Sequence, residues 1–193
     1  MKIANDFKKF RDEMRKTLQK EFGELVCPFW GNQGANIVSI SQAPSISAIR
    51  KQKPFSDKSG ERLRNKWYKI SDETFYNPNN FYFTAIGMYF PGKDKKGGDK
   101  KPSFNSANCW LMREISYLNP KLYLIVGRVA AEFFFPKQTF TSLVFNDQEI
   151  NKTRTLVLPH PSPVNIKWFQ DHPDFEKNRL LIVRKYIKRA LRN

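Results

Sequence analysis

Apolar residues recur along the chain at two spacings, and these spacings predict helices and strands in turn. One apolar set repeats every three to four residues and predicts an amphipathic helix over residues 5–22 with a basic outer face. Its members are Phe7, Phe10, Met14, Leu18 and Phe22. Four short apolar or β-branched runs, bounded by loop-forming residues, predict strands. They are ANIVSI (35–40), FYFTAI (81–86), KLYLIV (121–126) and TRTLVL (153–158).

Helical patterns separate the later runs and close the chain. FNSANCWLMREISYL (104–118) precedes the third run, and RVAAEFFF follows it after Gly127. Residues 174–191 predict a last helix with Asp174 as its cap. Strands that alternate with helices are typical of a parallel sheet covered on both faces. The sequence therefore predicts an α/β fold, a three-layer α/β/α sandwich around a central, mainly parallel four-stranded sheet.

The loops after the predicted strands are the candidate site, because ligands of an open parallel sheet bind at the carboxyl ends of its strands. These loops are SQAPS, GMYFPG, GRVAA and PHPSP. The last contains His160, one of two histidines, between two prolines that fix the backbone. A hydrogen-bonded structural histidine in a turn is the alternative, and the residues alone do not separate the two.

The net charge of the chain indicates the kind of binding partner. The chain has 34 Lys and Arg against 18 Asp and Glu, a formal charge of +16, and nucleic acid is the usual partner of such a surplus. A merely soluble basic surface is the alternative, and an acidic membrane is less favoured because no basic run adjoins a lipidation motif. The 193 residues are most simply one domain, 1–193, with an N-terminal helical segment (1–26) and a C-terminal helix (174–193).

The chain's start and its most apolar stretch indicate a cytoplasmic protein with no membrane association. MKIANDFKKFRDEM is charged throughout and has no apolar core of a signal peptide. LYLIVGRVAAEFFF is too short to span a bilayer and carries Arg128 and Glu132. The two cysteines do not make a disulfide framework, which agrees with a reducing compartment.

Three segments, ISQAPS, KPFSDKSG and LPHPSP, resemble in this order the motifs of the uracil-DNA glycosylase superfamily, especially its families 4 and 5. The resemblance runs from about residue 27 to about residue 168. It implies a monofunctional DNA glycosylase of base excision repair, which hydrolyses the N-glycosidic bond of uracil or a related deaminated base flipped out of DNA. We expect the protein to be a monomer. The basic surface would then hold the phosphates without reading sequence.

The resemblance assigns the catalytic roles. Positive charge develops on the sugar and negative charge on the departing base, so the reaction needs a carboxylate and a hydrogen-bond donor. Asp57 resembles the family 5 carboxylate, although one residue closer to the preceding Phe; an Asx turn is the alternative, and both readings can hold together. His160 resembles the histidine that donates toward the base oxygen. Gln42 stands where family 4 enzymes carry a glutamate, and it could position water only by hydrogen bonding.

The resemblance also assigns base and DNA contacts. Phe55 resembles the aromatic residue that stacks on the flipped base, with core packing as the alternative, and Ala43 would complete the pocket through its backbone. The expected DNA contacts are Pro161, Ser162, Pro163, Asn165 and Lys167. The lysine-rich segment 92–102 would either track a DNA backbone or be a solvated loop. We expect His172 to have a structural role at a helix entry.

Two departures from the family pattern change these expectations. Ala85 stands where the superfamily commonly has an asparagine that reads uracil, so hypoxanthine and xanthine become candidate bases. Families 4 and 5 hold an iron–sulfur cluster with four cysteines. Here only Cys27 and Cys109 lie near those positions, and Met88 or Tyr89 replaces another. We therefore predict no cluster and no metal, and we expect both cysteines to be small buried residues.

Two other functions stay open at this point. Gln42 and Ala85 also fit a catalytically reduced relative that serves as a nucleic-acid-binding module, and binding that weakens with salt but ignores the lesion would favour it. An α/β enzyme acting on an acidic small molecule needs no basic exterior. Failure to bind DNA at physiological salt would favour that third class.

Overall fold

A five-stranded sheet organises the molecule in the computed structural model, which describes residues 2–95 and 97–192. Met1, Lys96 and Asn193, which the domain prediction includes, lie outside the described residues. The strands are β1 (Ile37–Ser41), β2 (Phe81–Ala85), β3 (Leu122–Val126), β4 (Gln148–Ile150) and β5 (Thr153–Leu158). Their order across the sheet is β2-β1-β3-β5-β4, and every pair is parallel except β4 with β5. The mainly parallel sheet is therefore confirmed.

The fifth strand is the part of the sheet that the hydrophobic pattern did not predict. β4 pairs with β5 through a two-residue hairpin turn at Asn151 and Lys152, which have φ of 51° and 62°. Positive φ at both central residues is the geometry that matches the twist of a hairpin. β4 has three residues and only Ile150 is buried, so its sequence lacks a detectable alternation. The sheet consequently has five strands instead of the expected four.

Helices cover both faces of the sheet. All residues of β2 and β3 are buried, and because successive side chains point to opposite faces, both faces must be covered. The α-helices are α1 (Lys2–Phe22), α2 (Ile46–Arg50), α3 (Lys58–Glu61), α4 (Asp72–Tyr76), α5 (Phe104–Ser106), α6 (Met112–Ser116), α7 (Arg128–Phe134), α8 (Phe140–Phe145), α9 (Ile166–Asp171) and α10 (Leu180–Leu191). π-helical stretches at Arg62–Tyr68, Ala107–Leu111 and Phe175–Arg179 extend or join them, and 3₁₀ turns lie at Gly23–Leu25 and Pro163–Asn165. This is an α/β sandwich.

The predicted helices at the two ends of the chain are present with small differences. The apolar set of α1 is buried except for Phe22, which is half-buried. Asp174 does not cap the last helix: it has helical dihedral angles (φ −63°, ψ −21°) and makes no capping hydrogen bond. Its carboxylate instead accepts from Asn178 at 3.1 Å, inside the π-helical stretch that precedes α10. The prediction of Asp174 as a cap is wrong.

The parallel strands deliver their following loops to one edge of the sheet. β1 leads into Gln42–Ser45, β2 into the segment after Ala85, and β5 into Pro159–Pro163. Since these strands run in the same direction, the three loops meet at the carboxyl edge. Among the helices of residues 2–95 and 97–192, none has the length and apolar character needed to cross a membrane.

Candidate functional site

A cavity of about 270 Å³ opens at the carboxyl edge of the sheet. It is lined by residues from the β1 and β2 ends, from the segment that enters α3, and from the loop after β5. Six of the predicted catalytic, base-binding and DNA-binding residues line it, namely Ala43, Phe55, Asp57, Ala85, His160 and Ser162. The structure therefore brings the carboxylate and the imidazole to one cavity, as the resemblance implied.

Asp57 caps a helix and also lines the cavity. It is the N-cap of α3, where its Oδ1 accepts a hydrogen bond from the Gly60 N–H at 3.0 Å. Within the described part of the chain, Oδ2 has no hydrogen-bond partner. The Asx-type cap and the site carboxylate are thus compatible, because capping uses one oxygen and the side chain still lines the cavity.

The Phe55 backbone is held in an uncommon conformation beside the cavity. Its φ is 49°, a region that a bulky residue seldom adopts. Its carbonyl accepts hydrogen bonds from Arg64 Nη1 at 2.9 Å and from the Tyr76 hydroxyl at 3.0 Å. Its half-buried ring lies 5.7 Å from the Phe83 ring. Phe55 therefore packs on the core and lines the cavity at once.

Gly60→Ala is expected to destabilise this turn. A Cβ at residue 60 would lie 1.8 Å from the Phe55 carbonyl oxygen, so the backbone would have to move. We expect a loss of about 1–3 kcal/mol in the free energy of unfolding, as for other overpacked sites. Gly34→Ala is the matched control, because a Cβ there meets no atom within 4 Å. Urea denaturation checks both, and equal stability of the two variants would contradict the role assigned to Gly60.

His160 has a defined tautomer. Its Nδ1 accepts a hydrogen bond from the Ser162 backbone N–H at 3.3 Å, so in the neutral ring the proton is on Nε2. Burial lowers the pKa of the imidazole below its ordinary 6.5, and the charges of Asp57 and Asp99 oppose this only partly. His160 is consequently a neutral ring at pH 7 whose Nε2–H is available as a donor.

The predicted DNA contacts that follow His160 differ in their exposure to solvent. Pro161 is buried, which removes it from any surface that could meet DNA. Asn165 donates its side-chain amide to the His160 carbonyl at 2.8 Å, so it holds the loop together. Pro163 and Lys167 are exposed. Sequence reasoning missed Val164, which is 89% exposed at the tip of this loop.

The segment after β2 contributes a second carboxylate that sequence reasoning also missed. Lys93 and Asp99 pair across a turn, with 2.7 Å between Nζ and Oδ1, and both line the cavity. The Gln42 amide donates to the Lys100 carbonyl at 3.1 Å and thereby ties this segment to the end of β1. Gln42 is not among the residues that line the cavity. The sequence signal for this hairpin was the pair Gly97 and Gly98 between lysines and aspartates.

The polar side chain on the β2 wall of the cavity already takes part in a hydrogen bond within the protein. Thr84 lines the cavity beside Ala85, and its hydroxyl is hydrogen-bonded to Glu114 Oε2 at 2.5 Å. The Tyr82 hydroxyl bonds the other oxygen of Glu114, also at 2.5 Å. Burial raises the pKa of Glu114 above its ordinary value. This wall therefore offers little free hydrogen-bonding capacity to a ligand.

The two cysteines do not fit an iron–sulfur cluster. Cys27 Sγ lies 3.7 Å from Met88 Sδ, so a thioether stands beside the first cysteine. Burial raises the pKa of Cys27 to about 12, so its side chain is a thiol at pH 7. Cys109 is exposed and Cys27 is only partly buried, so the expectation that both cysteines are buried is wrong. Within the described residues, no group of three or more His, Cys, Asp or Glu is placed to hold a metal.

His172 lies outside the site cavity. Its ring stacks on Trp168 with 4.4 Å between centroids, and its Nδ1 lies 2.8 Å from the Trp168 carbonyl oxygen. These contacts fix the entry to the last helical segment, and they agree with the structural role expected for this histidine.

One comparison with known proteins bears on this geometry. The family model described as the uracil DNA glycosylase superfamily matches residues 28–184. The matched region includes the Phe55–Gly60 turn, β2 and the loop that carries His160. It covers most of the 193-residue chain and all five strands of the sheet. The chain belongs to the uracil DNA glycosylase superfamily.

Proposed function

We propose that this protein is a monofunctional DNA glycosylase that removes a deaminated base flipped out of DNA. The observation that carries the proposal is the presence of Asp57, Phe55 and His160 around one cavity. Membership of a superfamily named for uracil DNA glycosylase supports the same reaction. A base inside a duplex cannot reach such a cavity, so flipping must precede chemistry.

Each of the three residues has a defined role in the proposed reaction. The bond between C1′ of the sugar and the base nitrogen breaks, and its electron pair leaves with the base. His160 Nε2–H donates to the base oxygen on which this negative charge accumulates. Asp57 stabilises the positive charge on the sugar, orients a water for attack on C1′, and accepts the proton that this water loses. Phe55 stacks on the base.

The loop that contains Asp99 supports the same electrostatics in this proposal. Asp99 gives the cavity a second carboxylate, held by Lys93, in a chain whose Gln42 cannot supply charge. Gln42 then acts indirectly, because its hydrogen bond to the Lys100 carbonyl holds the Asp99 hairpin over the β1 end. We assign Gln42 to positioning and not to contact with the base.

The base specificity that we propose is broad. Ala85 offers no hydrogen bond to a base edge, and the neighbouring Thr84 hydroxyl is engaged by Glu114. Small side chains such as Ala43 and Ala48 line the same cavity and leave room for more than a pyrimidine. Uracil, hypoxanthine and xanthine are therefore the proposed bases.

DNA would be held by the exposed part of the His160 loop and by surface lysines. Val164 is 89% exposed on this loop, and Ile166, the first residue of α9, is 61% exposed. Exposed apolar side chains next to a base-flipping site can enter the stack in place of the extruded base. Ser162, which lines the cavity, and Pro163 and Lys167, which are exposed, would contact the backbone near this point. Lys96 of the lysine-rich segment lies outside the described residues.

The experiment that tests the proposal is base release from single- and double-stranded oligonucleotides carrying uracil, hypoxanthine or xanthine. Enzyme in excess over oligonucleotide measures the chemical step, and free base and abasic sites are quantified together. We expect release of at least one base. Tight binding of the oligonucleotides without any release would instead support the binding module. That module is the second candidate because Gln42 is not among the residues that line the cavity and Ala85 cannot read a base.

The pH dependence of release should reflect the neutral state of His160. Because burial lowers its pKa below 6.5, the imidazole stays neutral as pH falls to that value and becomes charged only below it. Charging also destroys the Ser162 N–H···Nδ1 hydrogen bond. We expect a level rate above pH 6.5 and a falling rate below it, in single-turnover measurements between about pH 5 and 8. A rate that already falls as pH drops through neutrality would contradict the lowered pKa.

A further inference from the structure

One face of α10 carries cations and no carboxylate. A groove of about 620 Å³ runs along this face and is lined by Leu181, Arg184, Lys185, Lys188, Arg189 and Arg192. The last acidic residue of the chain is Glu176, so no carboxylate follows anywhere in α10. Positions 181, 184/185, 188/189 and 192 repeat at helical spacing, which makes the cations one continuous row.

The groove lies apart from the cavity. The opposite face of α10 is buried against the sheet through Leu180, Val183, Ile187 and Ala190. The Lys121 ammonium donates to the Arg192 carbonyl at 3.3 Å, and Lys121 immediately precedes β3. The end of the groove is therefore at the amino edge of the sheet, whereas the cavity is at the carboxyl edge.

Repulsion within the row of cations is destabilising unless an anion lies against it. Arg184 and Lys188, Lys185 and Arg189, and Lys188 and Arg192 are each four residues apart, and like charges at this spacing repel. The negative end of the helix dipole favours cations in the last turn only. Arg184 is fixed by hydrogen bonds to the Trp67 and Lys66 carbonyls. Within the described residues, Lys185, Lys188, Arg189 and Arg192 form no ion pair.

We infer that this groove binds the phosphate backbone of duplex DNA at a second place on the protein, away from the cavity. The cations recur about 6 Å apart along the helix axis, and a phosphate backbone presents a regular series of negative charges to such a row. A membrane is a poor fit because the apolar face of α10 is buried against the sheet and cannot insert. An acidic protein is a poor fit because protein interfaces are depleted of lysine and need apolar anchors, of which this groove has Leu181 alone.

The test measures binding of the full chain to an undamaged duplex, so it does not depend on whether any base is released. Lys188→Glu with Arg189→Glu should weaken binding about tenfold at 50 mM salt and reduce the slope of log affinity against log salt by about 1.8, at 0.9 for each lost phosphate contact. Lys188→Gln with Arg189→Gln keeps good helix formers in place and should reduce the slope equally. Fluorescence anisotropy over about 50–200 mM salt gives both quantities.

Substitution of two lysines elsewhere on the protein tests whether a loss of DNA binding comes from the groove or from the change in net charge. Lys8→Glu with Lys16→Glu makes the same charge change at two exposed positions of α1. This control should leave the slope close to that of the natural protein. Equal losses in both pairs would overturn the inference, and so would an unchanged slope in both α10 variants. If the α10 variants lost binding to phosphatidylserine vesicles and kept their binding to DNA, the groove would be assigned to lipid. That result would also overturn the inference.

Discussion

Asp57→Asn is expected to lower the single-turnover rate of base release by about 10²–10⁴-fold, the usual contribution of a positioned acid or base. In the proposed mechanism, the substitution removes the charge that stabilises the sugar cation and the group that accepts a proton from water. It leaves the cap of α3 in place, because asparagine accepts from the Gly60 N–H as well as aspartate does. Thermal and denaturant unfolding should therefore change little, within about 0.5 kcal/mol.

Two further variants separate charge from capping. Asp57→Ala loses both functions and should lose about 1 kcal/mol of stability in addition to the rate. Thr139→Ala removes the cap of α8, where Thr139 accepts from the Ser142 N–H and does not line the cavity. That control should lose stability and retain the rate. A normal rate in Asp57→Asn would show that Asp57 is not the catalytic carboxylate, and Asp99 would become the candidate.

The sequence predicted the strands that are buried on both faces, because a continuous apolar run is sufficient to specify them. β3 is the clearest case, with five buried residues of five. β4 escaped prediction because only Ile150 of its three residues is buried, and its pairing depends on the turn at Asn151 and Lys152. A short edge strand is specified by its partner strand more than by its own pattern.

The candidate site was predicted where its residues follow a strand or a fixed turn, and missed where position depends on distant contacts. His160 follows β5 directly, so the sheet alone places it at the cavity. Asp99 reaches the cavity only through the hairpin with Lys93 and the tie from Gln42 to the Lys100 carbonyl. Neither contact leaves a periodic trace in the sequence.

Cys109 lies on the outer face of its helical segment. The buried residues of this segment, Ala107, Leu111, Ile115 and Leu118, recur every three to four positions. Cys109 is two positions from both Ala107 and Leu111, so it lies on the opposite side and is exposed. Its helical spacing therefore indicated exposure, whereas the resemblance to a cluster position led to the expectation that it is buried.

His160→Ala is expected to lower the rate of base release by about 10²–10³-fold, the usual effect of removing one donor to a developing anion. The proposed donor is Nε2–H, because Nδ1 already accepts a hydrogen bond from the Ser162 N–H. The effect should appear in the chemical step and not in DNA affinity, since the proposed phosphate contacts lie elsewhere. Single-turnover rates and anisotropy on a duplex that carries the base make this distinction.

His172→Ala is the matched control, because it removes the other histidine from a stack with Trp168 outside the cavity. It should reduce stability and leave the rate unchanged. The residual activity of His160→Ala should also lose the decline below pH 6.5 that the imidazole imposes on the natural protein. If that decline persisted, another group would control it, and the assignment of the pH dependence to His160 would be wrong.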